Sequence, residues 1–117
     1  MTRPISPRLH GVLDYLTVAF FAAAPAVFRL PRWADTTCLA MGLGQMAGSM
    51  ATDYPLGATP AIPFESHGAA EVLVGAGLLA AAASRPVRRN PTVLGLALAL
   101  GAIYVTVPLL TRYHEEA

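Results

Sequence analysis

The sequence predicts an all-α fold, a four-helix transmembrane bundle built from two tandem helical hairpins with pseudo-two-fold symmetry about the membrane normal. Three observations predict it. Hydrophobic residues make up 55% of the 117 positions and charged residues only 13%, about half the charged share of a soluble domain. The charges gather between four long apolar runs, as in polytopic membrane proteins. The third observation is an internal match between the two halves of the chain.

The first apolar run extends from Leu9 to about Phe28 and is expected to form the first helix. Ser6 and Pro7, just before it, are a typical helix start, with Ser6 as the N-cap. The run is too long for the core of a cleavable signal sequence. Pro25 is expected to kink this helix or to end it late. The arginines and the tryptophan of the following loop, 29–33, suit a headgroup interface.

The second run extends from Ala34 to about Thr52 and has small residues at every fourth position, at Ala40, Gly44 and Gly48. This spacing lets helix backbones approach closely in lipid. The predicted partner is therefore the lipid bilayer, and the small-residue helix faces could pair either within one chain or with a second copy of the chain in a homo-oligomer. The connection that follows, 53–63, is rich in proline and glycine and is predicted to be non-helical.

The third run begins near Phe64 or Ser66 and ends near Ser84. It consists mainly of alanine, glycine and leucine, so it is expected to pack against its neighbours. A basic turn, 85–91, separates it from the fourth run, from Thr92 to about Arg112. The fourth run has about twenty residues without a charge, which is about the width of a bilayer for a helix.

The two halves of the chain match at equivalent points of the predicted hairpins. Three positions repeat at a spacing of 57 residues and a run of three at a spacing of 59: Ile5 with Ile62, His10 with His67, Asp14 with Glu71, and Thr52-Asp53-Tyr54 with Thr111-Arg112-Tyr113. Two crossings per unit keep both units in the same orientation. Residues 1–117 are therefore predicted to form a single integral membrane domain, with repeat 1 at about 5–57 and repeat 2 at about 62–117.

Three motifs lie at the helix starts and in the central connection: His-Gly-x-x-Asp-Tyr at 10–15, Thr-Asp-Tyr-Pro-Leu-Gly at 52–57, and Ile-Pro-Phe-x-x-His-Gly-x-x-Glu at 62–71. On these motifs the chain resembles small bacterial four-helix membrane proteins of the SPW-repeat type, or a sister family. The Ser-Pro-Trp signature itself is replaced by Ala24-Pro25-Ala26 in the first repeat. The resemblance implies a bacterial inner-membrane location and paired helices, and it brings no established activity, cofactor or catalytic residue.

Arginine counts predict the orientation in the membrane. Loops 29–33 and 85–91 carry five arginines against three on the opposite side, which favours placing these two loops in the cytoplasm. The chain has no lysine and a formal net charge of only +1, so no basic patch indicates nucleic-acid binding. Because Cys38 is the single cysteine, an intrachain disulfide is excluded.

Ionisable side chains recur at the start of two apolar runs. Each half has a histidine followed four residues later by a carboxylate, an arrangement that places both groups on one helix face. The predicted polar cluster comprises His10, Asp14, Tyr15, Asp53, Tyr54, His67 and Glu71. No catalytic residue is predicted, because the sequence has neither a nucleophile motif nor a phosphate-binding glycine loop, and a non-enzymatic role is favoured.

The favoured function is structural or accessory and needs no cofactor. The cluster would then tie helices together, with each carboxylate accepting a hydrogen bond from its own histidine or from Tyr15, Tyr54 or Gln45. A first alternative is a divalent metal ion held by both histidines and both acids, or a haem with the two histidines as axial ligands. A second alternative is proton or small-solute transport by an oligomer.

Overall fold

The structure, a computed structural model, describes residues 3–114, and this part of the chain is all helical. It contains no strand, which confirms the predicted all-α class. Five helices follow one another along the chain: α1 (Pro7–Phe28), α2 (Arg32–Met50), α3 (Phe64–Ala81), α4 (Arg85–Arg88) and α5 (Pro91–Leu109). The four long helices coincide with the four apolar runs to within about three residues.

The ends of α1 follow the local sequence closely. The Ser6 hydroxyl accepts a hydrogen bond from the Leu9 amide at 3.1 Å, as expected of an N-cap. The helix continues through Pro25 and ends at Phe28, where Arg29 adopts a left-handed conformation and its amide donates to the Pro25 carbonyl. The late end after Pro25 therefore agrees with the prediction.

The short helix α4 was not predicted, because the sequence indicated only a basic turn at 85–91. Ser84 has an extended backbone immediately before it, and a proline occupies its first turn. A proline there loses no helical hydrogen bond and has a preorganised φ angle, so a single helical turn forms between α3 and α5.

The long helices pack in two pairs, α1 along α2 and α3 along α5, in a body with principal extents of 43 × 29 × 20 Å. Two isolated parallel bridges join the pairs, Ile5 with Thr111 and Thr52 with Ile62. In each bridge the isoleucine amide donates to one carbonyl and the isoleucine carbonyl accepts from an amide two residues further on, at 2.8–3.1 Å. The start of each hairpin is thereby fixed beside the end of the other.

Large apolar side chains face outward on all four long helices. The most exposed are Leu73 at 73%, Val27 at 68% and Leu43 at 63%, whereas eight polar or charged residues are buried. Among the described helices, α1 and α5 are long and apolar enough to cross a membrane. These buried polar groups and exposed apolar side chains occur beside two apolar core clusters, one around Phe21 and one around Val87.

Close packing of α3 on α5 depends on Gly75. A Cβ atom added there would lie 2.8 Å from the Gly101 carbonyl oxygen and 2.7 Å from a Val105 methyl group. We expect Gly75→Val to lower the free energy of unfolding by about 1–3 kcal/mol through overpacking, measured by thermal unfolding in detergent. Gly77→Val is the control, because nothing lies within 4 Å of an added Cβ there. Equal losses in both variants would contradict the predicted packing.

Candidate functional site

Four ionisable side chains from α1 and α3 meet inside the molecule. His10 and Asp14 come from the first two turns of α1, and His67 and Glu71 come from the equivalent turns of α3. Their exposed fractions are 0%, 3%, 7% and 8%. One nitrogen or oxygen ligand atom from each residue lies within 4.8 Å of all the others. We call these four residues the His/acid cluster.

The shortest contacts in the His/acid cluster join the two hairpins. The Nε2 atom of His10 lies 2.6 Å from Glu71 Oε1, and that of His67 lies 3.0 Å from Asp14 Oδ2. The contacts within one helix are longer, at 3.4 Å in α1 and 3.3 Å in α3. Among the histidines, each acid is therefore closest to that of the other hairpin, whereas the sequence had pointed to its own histidine or to Tyr15, Tyr54 or Gln45. Within one helix, the histidine and the acid are separated by the rise of about one turn. Between the two helices, which face each other, the histidine of one lies directly beside the acid of the other.

Two threonines orient the imidazole rings. His10 Nδ1 lies 2.8 Å from the Thr111 hydroxyl, and His67 Nδ1 lies 2.7 Å from the Thr52 hydroxyl. Each hydroxyl also donates, at 2.6 Å, to the carbonyl four residues earlier in the chain. Because a hydroxyl has only one proton to donate, it must accept from the imidazole Nδ1–H. Both histidines thus carry a proton on Nδ1 and turn Nε2 toward the carboxylates.

The carboxylates have their own donors. The Tyr54 hydroxyl donates to Asp14 Oδ2 at 2.9 Å, and the Gln45 amide donates to Glu71 Oε2 at 3.2 Å. Tyr104 in turn donates to Gln45 Oε1 at 2.7 Å, which fixes the orientation of the amide. Burial raises the pKa of Tyr54 well above its usual range, so its hydroxyl stays a donor. The acids are therefore held in place from outside the His/acid cluster.

The structure brings together five of the seven residues predicted for the polar cluster, namely the four of the His/acid cluster and Tyr54. Tyr15 lies outside it, and its hydroxyl donates to the Leu56 carbonyl at 2.9 Å. Successive residues of a helix point in directions about 100° apart. Because Asp14 faces inward, the next residue, Tyr15, faces the central connection. Asp53 is exposed, and its amide donates to the Ile62 carbonyl.

Sequence reasoning missed the roles of Thr52, Thr111 and Tyr104 in the site. A signal for the two threonines was present, because both belong to the matching Thr-x-Tyr runs at a spacing of 59 residues. Tyr104 follows Gln45 by the same spacing of 59 residues, but the two residues differ in type, so the position is not an identity match between the repeats.

The His/acid cluster is a candidate metal centre. Ligand bonds of 2.0–2.2 Å in a tetrahedral site place neighbouring donor atoms about 3.3 Å apart. One ligand atom from each of the four residues lies within 4.8 Å of all the others, so these donors would move closer together around an ion. Imidazole and carboxylate together suit zinc, iron and related divalent ions.

The same geometry disfavours haem. The imidazole rings of His10 and His67 have centroids 5.5 Å apart, with both carboxylates in contact with the two Nε2 atoms. A macrocycle ligated by the two histidines would have to pass between the rings, where Asp14 and Glu71 lie. A porphyrin between the two histidines would therefore have to displace both acids.

Tyr54→Phe tests the support of the first acid. We expect the loss of its hydrogen bond to Asp14 to lower the free energy of unfolding by about 1.5–3 kcal/mol, because the acceptor is a buried carboxylate. Tyr15→Phe removes a hydrogen bond to a backbone carbonyl and should cost about 0.5–1.5 kcal/mol. Chemical unfolding in micelles measures both variants. A smaller loss for Tyr54→Phe than for Tyr15→Phe would contradict this assignment.

Comparison with protein-family models, with curated proteins and with solved structures finds no match to this chain. The resemblance to SPW-repeat proteins therefore stays a prediction.

Proposed function

We propose that this chain is a small integral membrane protein whose two helical hairpins hold one divalent transition-metal ion between them. Its ligands are His10, Asp14, His67 and Glu71. The observation that carries the proposal is the fixed orientation of the two imidazoles. Both Nδ1–H groups are used by threonine hydroxyls, so both Nε2 atoms face the carboxylates. Outer hydrogen bonds of this kind orient the histidine ligands of metal ions.

Charge balance supports a divalent ion. Two neutral imidazoles and two carboxylates carry a charge of −2, which one divalent cation neutralises. A buried cluster without net charge avoids much of the penalty for placing ions in a low-dielectric interior. The donors from Tyr54 and Gln45 compensate the remaining carboxylate lone pairs.

The outward apolar surface supports lipid as the solvent for all four long helices. The shortest of them, α3, has 18 residues, which at 1.5 Å per residue gives a length of about 27 Å, close to the thickness of the hydrocarbon layer. The equivalent bridges and threonine–histidine pairs support a pseudo-two-fold axis along the membrane normal. The metal site would then lie near one membrane face, and the arginine-rich loops 29–33 and 85–91 on the opposite, cytoplasmic side.

A structural lock is the second candidate function, and the 2.6 Å contact between His10 and Glu71 favours it. With both histidines protonated, the His/acid cluster again has no net charge, and its ion pairs would join the two hairpins. This candidate requires no metal ion.

Zinc titration of the purified protein in detergent decides between the two functions. We expect one Zn²⁺ per chain by calorimetry and elemental analysis. His67→Ala should abolish this binding, whereas His114→Ala should not change it, because His114 is exposed. A wild-type protein that binds no Zn²⁺, Co²⁺ or Mn²⁺ would leave the structural lock as the function.

Membrane insertion has a separate test. After expression in a bacterium, the protein should remain in the membrane fraction through alkaline carbonate washing and require detergent for release. Recovery as a monomer without detergent would contradict the membrane proposal and leave the metal proposal unaffected.

A further inference from the structure

A pocket of about 260 Å³ lies between α2 and α3 and reaches the His/acid cluster. Gln45, His67 and Glu71 provide polar groups in its lining. Gly44 and Gly48 line the α2 side, and an added Cβ at either position would meet nothing within 4 Å. These two glycines therefore border open space in this chain and do not support helix packing within it.

The opposite side of the His/acid cluster is closed. Between α1 and α5 the corresponding space is only about 20 Å³, and it is lined by Ile103, Tyr104 and Val107 among others. These residues follow Gly44, Gln45 and Gly48 by the repeat spacing of 59 residues. Two glycines in place of isoleucine and valine thus leave the site accessible from one side.

His67 connects the pocket to the His/acid cluster, because it lines the pocket and its Nε2 atom faces both carboxylates. Within residues 3–114, His67 Nε2 is buried and has the geometry of a hydrogen bond to no group, although carboxylate oxygens lie 3.0 and 3.3 Å away. The His67 side chain is only 5% exposed. A buried polar atom of this kind costs free energy unless a further group satisfies it. The proposed metal ion would do so, and because His67 lines the pocket, the ion would be reached from that side.

We infer that the pocket between α2 and α3 binds a small neutral molecule whose nitrogen or oxygen atom completes the coordination of the metal ion. This inference rests on the metal centre proposed above. The ligand is neutral because Asp14 and Glu71 already balance a divalent cation, so a further negative charge would be buried without compensation. Met41, Ile62 and Val74 also line the pocket, and their apolar surface suits the hydrocarbon part of the ligand.

The test uses protein loaded with Co²⁺, whose visible absorption reports coordination number, and pyridine as the neutral probe. Pyridine should cause a saturable change in the absorption of the wild type. Gly44→Ile and Gly48→Val copy the side chains of the closed side, and each should raise the Kd for pyridine about tenfold or more by steric exclusion, with Co²⁺ binding unchanged. Gly77→Ile is the control, because Gly77 also borders open space but lies outside the pocket.

The outcomes separate the two proposals. A wild type that fails to bind Co²⁺ overturns the metal centre. Co²⁺ binding without a response to pyridine, or an unchanged response in both Gly44→Ile and Gly48→Val, overturns the pocket alone. A lower Kd for acetate than for pyridine overturns the assignment of a neutral ligand.

Discussion

Glu71→Gln is expected to weaken Zn²⁺ binding by on the order of 100-fold or more and to destabilise the ion-free protein by about 3–5 kcal/mol. Glu71 makes the shortest histidine contact of the site. Its carboxylate lies 2.6 Å from His10 and 3.3 Å from His67, and it accepts a hydrogen bond from Gln45. The substitution keeps the size of the side chain and removes its charge, so it leaves no cavity. The loss of Zn²⁺ affinity and of stability would therefore come from the missing charge and the missing metal ligand.

Glu65→Gln is the matched control for this prediction. Glu65 lies in the first turn of the same helix, its side chain is 62% exposed, and its ionic contact with His114 is 3.8 Å long. A surface pair of this length adds little to stability, so the variant should match the wild type in both measurements. Calorimetric titration and thermal unfolding measure the two variants in parallel. A Glu71→Gln protein that binds Zn²⁺ as tightly as Glu65→Gln would exclude Glu71 as a ligand.

The helices and the inward position of the ionisable groups could be predicted because both depend on short-range patterns. Long apolar runs bounded by Ser6-Pro7 or by prolines set the helix limits to within a turn. A histidine and an acid four residues apart share a helix face in any context. Which histidine contacts which acid depends on how the two hairpins meet. That relation joins residues such as His10 and Glu71, 61 positions apart, and no local pattern encodes it.

The glycines show the same limit. Gly44, Gly48 and Gly75 all lie in apolar runs, and the sequence indicated a packing role for such glycines. The structure gives this role to Gly75, where an added Cβ would collide with α5, and to Gly42, where it would lie 3.2 Å from Phe21 Cβ. Gly44 and Gly48 face open space within this chain, and their packing against a second copy stays a prediction. The difference depends on what lies opposite each residue, which only the tertiary structure supplies.

The double substitution Thr52→Val/Thr111→Val is expected to lower Zn²⁺ affinity by about 100-fold or more, because each lost outer hydrogen bond to a ligand typically costs about 10–100-fold. Valine matches threonine in shape but cannot accept from Nδ1–H. Each histidine then keeps its buried imidazole without the bond that fixes its ring and tautomer. The ion-free protein should also lose about 1–3 kcal/mol of stability for each unsatisfied N–H group.

Thr17→Val separates this effect from the loss of a threonine in general. The Thr17 hydroxyl donates to the carbonyl four residues earlier at 2.8 Å, as Thr52 and Thr111 do, but no histidine donates to it. The variant should bind Zn²⁺ like the wild type. Each single substitution, Thr52→Val or Thr111→Val, should reduce the affinity by a similar factor, because the two threonines hold the two histidines in the same way. If only one of them mattered, the ion would be held by one histidine, and the proposed four-ligand site would be wrong.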